Sequence, residues 1–151
     1  MTHFAPEFRR LEPDEMQSIL VRNNVGRLVF ISGGEADVRP LHYVFSQSRI
    51  YGRSSPGAAF LQQPGGRVAF EVDEVEAVFR WKSVIARGEI HRLIRDGTDS
   101  EEWENAVRLL RRVVKNAFLE GAQDGEKTDP VPERTEIFRI SIDQLTGRAS
   151  H

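Results

Sequence analysis

The chain has 151 residues, a formal net charge of −2 at pH 7 and no cysteine. That is length enough for one domain with its own core, with no long-range pull towards nucleic acid or an anionic membrane, and it excludes disulfides, thiolate nucleophiles and Cys-ligated metal centres. His3, His42, His91 and His151 show no metal-ligand spacing, no window approaches the roughly eighteen consecutive apolar residues of a membrane span, and the opening MTHFAPEFRR lacks the apolar core of a signal peptide, so a cytoplasmic protein is expected.

In chain order, Pro13-Asp14-Glu15 reads as a helix start, because proline has no N–H to leave unbonded and the acids complement the positive helix end. Met16, Ile19 and Leu20 supply an apolar stripe for a helix over 13–23, stopped at Asn23-Asn24. A strand follows from Val25 to Ser32, then a Gly33-Gly34 turn and a second strand from about Ala36 to Phe45. Pro40 in this second strand has no ladder donor, which suits an edge or a bulge. The turn Ser46-Gln47-Ser48 leads to a third strand, Arg49 to Arg53, completing an antiparallel meander. Ser54 or Ser55 suits the cap of a short helix begun by Pro56, with Phe60 and Leu61 docking inward and Pro64-Gly65-Gly66 ending it. A polar, glycine-containing helix start after a strand suits a phosphate, because unpaired backbone N–H groups point at it.

From Arg67 to Leu93 two β-rich runs flank an acidic stretch. Val68, Phe70 and Val72 share one face, while Ala69 and Glu71 share the other. Glu71, Asp73, Glu74 and Glu76 read as a solvated hairpin turn, with nothing to raise a carboxyl pKa for acid–base chemistry. Gly88, inside the second run from Val78 to Leu93, marks a bulge, a bend or a close backbone approach.

Thr98 and Glu101 have capping-box spacing ahead of a long helix over 99–120. Its stripe is Trp103, Ala106, Val107, Leu110, Val113, Val114, Ala117 and Phe118, with the arginines mostly on the solvated side. Residues 121–133 are polar and rich in Gly and Pro, reading as a mobile loop, and a last strand runs from Thr135 to Ile142 before the tail QLTGRASH. About six strands, each with one apolar face and edges to bury, favour a small closed barrel with both helices packed on it, one domain over 1–151.

Taken alone, the candidate site residues have ordinary structural readings. Arg53 beside a turn is a surface charge, Ser54 and Ser55 are helix caps, Tyr43 and Trp81 are packing aromatics, and His42 is a hydrogen-bonded structural histidine.

A set of short pieces in a fixed order adds another reading. They are Val25-Gly26-Arg27-Leu28, Arg39-Pro40-Leu41-His42-Tyr43-Val44, Ile50-Tyr51-Gly52-Arg53-Ser54-Ser55-Pro56-Gly57, Val68-Ala69-Phe70-Glu71-Val72-Asp73, Trp81-Lys82-Ser83-Val84-Ile85-Ala86-Arg87-Gly88 and Leu145-Thr146-Gly147-Arg148. In that order the chain resembles the flavin-nucleotide-binding split-barrel proteins related to pyridoxamine 5′-phosphate oxidase, within them the nitroimidazole-resistance-like branch. The resemblance implies a six-stranded antiparallel split β-barrel and a homodimer with two cofactor sites at the subunit interface. It implies an FMN-binding oxidoreductase acting on a small aromatic or nitro-aromatic compound, or else a non-catalytic dimer that binds a flavin, a deazaflavin or haem. By the same resemblance the phosphate lies near Arg53, Ser54, Ser55 and Gly57, and the ring along Pro40, Leu41, His42 and Tyr43. Trp81 and Ser83 add contacts from the central strands, and His42 or Tyr43 orients a substrate or moves a proton. The chain departs from the family where a lysine commonly follows the glycine of the short helix, since here the run is Gly57-Ala58-Ala59. One charge-assisted phosphate contact is worth roughly 1.5–3 kcal/mol, which leaves Arg53, or Lys82 between Trp81 and Ser83, to compensate.

Overall fold

The computed structural model describes residues 5–62, 66–121 and 134–151. Among the described residues seven strands and two helices follow one another as β1 (Phe8–Arg10), α1 (Pro13–Arg22), β2 (Val25–Ser32), β3 (Glu35–Ser46), β4 (Arg49–Ser54), β5 (Arg67–Ala77), β6 (Arg80–Arg92), α2 (Ser100–Gly121) and β7 (Glu136–Ser150), with a 3-10 turn at Ala59–Leu61. All the strand pairings are antiparallel. They run β7-β4-β3-β2-β5-β6, and β6 then pairs with β7, so six strands close into a ring and β1 is appended to β7. Closure removes the sheet edges that an open form would expose.

The period-2 pattern of the strands drives the interior. Leu28, Phe30, Phe70, Val72, Val84, Ala86, Ile50, Phe138 and Ile140 all belong to one buried cluster inside the ring. Helix α1 covers one end, burying Met16, Ile19 and Leu20, and Asn23 stops it by donating from Nδ2 to the Ile19 carbonyl at 2.9 Å. Ala106, Val107 and Leu110 of α2 form a second, smaller cluster with Val44, Tyr51, Leu93 and Ile137, so this helix lies on the outside of β3, β4 and β7.

Pro40 occupies a local edge. The Tyr43 N–H donates to the Asn24 carbonyl at 2.8 Å, and with Arg27 paired to Pro40 the alternation of an antiparallel ladder turns the proline nitrogen away from β2. Strand β4 pairs with β3 only from Tyr43 onward, so no ladder bond is lost there. At Gly88 the β6–β7 register shifts, and an added Cβ would lie 1.8 Å from the Ser141 carbonyl oxygen. The bulge and the close approach expected there both occur.

Several expectations are corrected. Glu71, Asp73, Glu74 and Glu76 are not a turn, because β5 continues to Ala77 and the turn is Val78-Phe79. The tail QLTGRASH is strand, since β7 runs to Ser150 and pairs with β6 and β1. β1 has no mark in the sequence, because its three residues are exposed and carry no periodicity. Pro56 starts no helix, and neither Ser54 nor Ser55 caps one. The 3-10 turn has Ala58 at its cap, with no side-chain cap bond. Asp99, not Thr98, precedes α2, and its carboxylate turns back to accept from the Ile94 N–H at 3.0 Å. The loop expected over 121–133, apart from Gly121, lies outside the described residues, as do Pro64 and Gly65. Among the described residues no helix is long and apolar enough to cross a membrane.

Candidate functional site

A cavity of about 830 Å³ opens at the stretch of β3 that runs on past the end of β4. It gathers seven residues of the expected set: Pro40, Leu41 and His42 from β3, Arg53 and Ser54 from β4, and Ser55 and Gly57 from the turn that follows. Arg39 and Arg134, which were not expected there, also line it, and among the described residues no aspartate or glutamate does. Three guanidinium groups around a cavity that no described acidic residue lines make it a positive spot on a chain whose net charge is negative.

Arg53 Nε donates to His42 Nε2 at 3.2 Å. That geometry needs a lone pair on Nε2, hence a neutral ring protonated at Nδ1. Burial, and then the Arg53 charge, push the His42 pKa below its ordinary value. Arg39 lies over the Phe30 ring, 5.8 Å from its centroid, and 4.0 Å from Asp37. Ser54 donates its hydroxyl to the Ser55 carbonyl at 3.1 Å, which keeps the turn tight. Gly57 has φ of +78° with nothing near an added Cβ, so backbone conformation alone asks for glycine there. The 3-10 turn beyond it is too short to offer a helix dipole, so an anion here would be met by side chains.

Tyr43 alternates with His42 and faces the other way. It is fully buried, its ring meets Phe70 edge-on at 5.1 Å, and its hydroxyl donates to the Leu20 carbonyl at 2.8 Å. Burial pushes its pKa well above the ordinary phenol value. Such a tyrosine fastens α1 to the barrel and is poorly placed to move a proton.

Trp81 and Ser83 line a different cavity of about 840 Å³, on the outer face of β6 and β7, with Leu11, Met16, Arg87 and Arg148. Trp81 packs on Phe8 with ring centroids 6.1 Å apart. Ser83 donates to Glu71 at 2.8 Å. Lys82 lines a third recess of about 320 Å³ with Arg22 and Glu74, and its charge helps hold the Glu74 carboxyl down. One chain therefore does not bring Trp81, Lys82 or Ser83 to the cavity that holds Arg53.

The acidic residues of β5 do structural work. Arg27 bridges Glu71 and Asp73 at 3.2 Å each. Glu71 is pushed up by burial first and by its neighbour Asp73 next, a raised carboxyl that the sequence reading did not anticipate. Also missed was a polar groove of about 790 Å³ beneath α2, where Glu102 accepts from Tyr51 at 2.7 Å and pairs with Arg49 and Arg139. Arg49 and Tyr51 share a face of β4, but nothing in the sequence ties them to a helix residue 53 and 51 positions further on.

The chain belongs to the pyridoxamine 5′-phosphate oxidase family, whose sequence profile matches residues 12–149. Among solved structures it is similar to a FAD-binding protein from Mesorhizobium loti, with 27% identity, a TM-score of 0.73 and coverage of 95% of this chain and 99% of that one. It is also similar to a putative 5-nitroimidazole antibiotic resistance protein from Bacteroides thetaiotaomicron, at 17% identity and TM-score 0.72 over 97% and 90% of the two chains. A FAD- and haem-binding protein from Mycobacterium smegmatis shares the fold at 13% identity and TM-score 0.66, over 93% of this chain and 72% of that one. These neighbours are split-barrel proteins, and the ring of β2 to β7 has that architecture. No curated protein matches the chain significantly.

Proposed function

We propose that this member of the pyridoxamine 5′-phosphate oxidase family is a cytoplasmic, FMN-binding oxidoreductase acting on a small aromatic or nitro-aromatic compound as a homodimer. The observation that carries the reading is the cavity with Arg39, Arg53 and Arg134 on its walls and, among the described residues, no acid lining it. Arg53 forms no ion pair with a described residue, so its terminal nitrogens are left for an anion. The Ser55 hydroxyl is uncommitted among the described residues and adds a donor beside it. The arginines stand where the family's lysine is missing, and their fork suits a phosphate better than a point charge does. The FAD-binding relative at 27% identity supports a flavin nucleotide, with FMN and FAD sharing the phosphate chemistry.

A bound flavin would supply the electron transfer, and the protein would place it and exclude water. Pro40, Leu41 and His42 would border the ring, with the phosphate end at Arg53 and Ser55. The homodimer is supported by the separation of the two expected halves of the site, since Trp81 and Ser83 lie on the outer face of β6 where a second copy can present them to the Arg53 cavity of the first. In that arrangement an aromatic substrate stacks between the exposed flavin face and Trp81.

The alternative, a non-catalytic dimer holding a flavin, a deazaflavin or haem, is motivated by Gly57-Ala58-Ala59 in place of the lysine. Haem is the weakest of the three. The histidine of this cavity already has Nε2 engaged by Arg53, and an axial ligand needs that lone pair free.

The test is a visible spectrum of protein purified without added cofactor, with mass spectrometry of any released ligand, followed by titration with FMN and FAD. Yellow protein that takes up FMN at micromolar concentration and is bleached by a nicotinamide donor is the expected result. No uptake of either flavin sinks the reading, and uptake without turnover beyond free flavin selects the non-catalytic alternative.

A further inference from the structure

We propose that His42 is a positioning residue for Arg53. Its neutral imidazole anchors the Nε edge of the guanidinium, leaving the two terminal nitrogens to bind an anionic group in the cavity. This rests on reading that cavity as the place of the flavin's phosphate end.

Many of the other arginines are held by carboxylates. Arg22 is held by Glu74, Arg27 by Glu71 and Asp73, Arg49 and Arg139 by Glu102, Arg67 by Asp143 and Arg92 by Glu136. Each of those guanidinium groups is fixed and also neutralised by a carboxylate. Arg53 is fixed by a neutral acceptor instead, at 3.2 Å; Arg87 on Thr146 and Arg108 on Asn105 also meet neutral acceptors, but neither lines this cavity. A carboxylate at that place would compete with an incoming phosphate for the same donors and cancel the charge that attracts it. An imidazole lone pair takes only the Nε hydrogen, sets the plane of the fork and leaves the positive charge intact.

The backbone makes the pair rigid. Tyr43 pairs with Gly52, so His42 and Arg53 stand opposite each other one step further along the same two strands. On its other side β3 is paired with β2 through Val25 and His42, and β4 with β7 through Arg53 and Ile137. Each residue therefore projects from a strand that is paired on its outer side, one step beyond the last β3–β4 pair, and the long arginine side chain loses freedom before a ligand arrives. The burial and the charge that keep the His42 pKa low act in the same direction, because they keep the acceptor lone pair available at neutral pH.

A double-mutant cycle on the full chain tests this, read by calorimetry with inorganic pyrophosphate and by flavin fluorescence with FMN and FAD. Arg53→Ala should weaken binding about ten- to a hundredfold, and His42→Ala about three- to tenfold through lost preorganisation. In the Arg53→Ala background, His42→Ala should cost nothing more, because a residue that acts through another has no effect once that other is gone. His42→Gln keeps an acceptor oxygen near the same place and should restore affinity to within about twofold of the parent. If His42→Ala does not fold, His42→Leu, which keeps the bulk and lacks the acceptor, takes its place. Additive losses in the cycle, no loss from His42→Ala, or failure of His42→Gln to rescue would each overturn the positioning role. Coupled losses with pyrophosphate while both flavins fail to bind retain that role and remove the flavin reading. Flavin binding indifferent to both substitutions keeps a flavin protein but removes both the positioning role and the phosphate end from this cavity, and no binding of any probe removes the flavin reading and the role together.

Discussion

Neighbouring residues on β3 have opposite fates, and the alternation of the strand decides which is which. His42 points to the cavity and Tyr43 into the core, although both belong to one motif and both had been candidates to orient a substrate. The Tyr43 hydroxyl bonds the Leu20 carbonyl in a fully buried setting. Tyr43→Phe should therefore lower stability by about 1 kcal/mol, the usual net worth of one buried hydrogen bond, with the carbonyl left unpaired setting the upper side. Flavin affinity should be unchanged, and chemical denaturation beside a binding titration checks both halves. A large loss of affinity would return Tyr43 to the site.

At the scale of elements, the joint between α1 and β5 rests on one carboxylate. Glu74 accepts from Arg22 at 2.7 and 2.5 Å and from Asn23 at 2.7 Å, and Arg22 first, against the opposing effect of burial, brings its pKa down from 4.5 to about 2. A carboxyl depressed on folding contributes stability above its unfolded pKa and loses it as pH falls through the folded one. The contribution is thus present above about pH 4.5 and disappears towards pH 2. Glu74→Gln should cost about 1 kcal/mol at pH 7, after discounting for partial exposure. It should also flatten the stability profile between those two pH values, as measured by thermal unfolding across pH. The elements themselves were largely legible in the sequence, because Met16, Ile19 and Leu20 or Val68, Phe70 and Val72 declare their period within a few residues. What was illegible was non-local. The acidic run of β5 looked like a turn because its partners, Arg22 and Arg27, lie far back in the chain. Likewise, the end of β7 looked like a tail because polar residues alternate poorly, and only its pairing with β6 and β1 makes it strand. Within the site, seven residues of the motif pieces line one cavity, whereas Arg134 carries no local mark and Arg39 opens one of those pieces without a role attached to it.

For the whole molecule, the division of the expected site between two faces of one chain has a direct consequence if two copies share it. Sedimentation velocity should give twice the chain mass of 17.2 kDa. Arg53→Ala and Trp81→Ala should each weaken flavin binding as pure species, while a mixture allowed to exchange subunits should regain some sites of parental affinity. In a mixed dimer both defects fall in one site and the other site is intact. No recovery in mixtures that do exchange would place each site within a single chain. The ring of strands has its own consequence, which lies in the order of folding. Without β7, the strands β4-β3-β2-β5-β6 form a sheet open at both sides, and the one segment that closes it must pair with both. Closure is therefore a single zipping event that joins residues distant in sequence, the slow and entropically costly kind. Until it happens two hydrogen-bonding edges stand exposed, so refolding yield should be limited by the lifetime of that open sheet and by the concentration at which two such sheets meet.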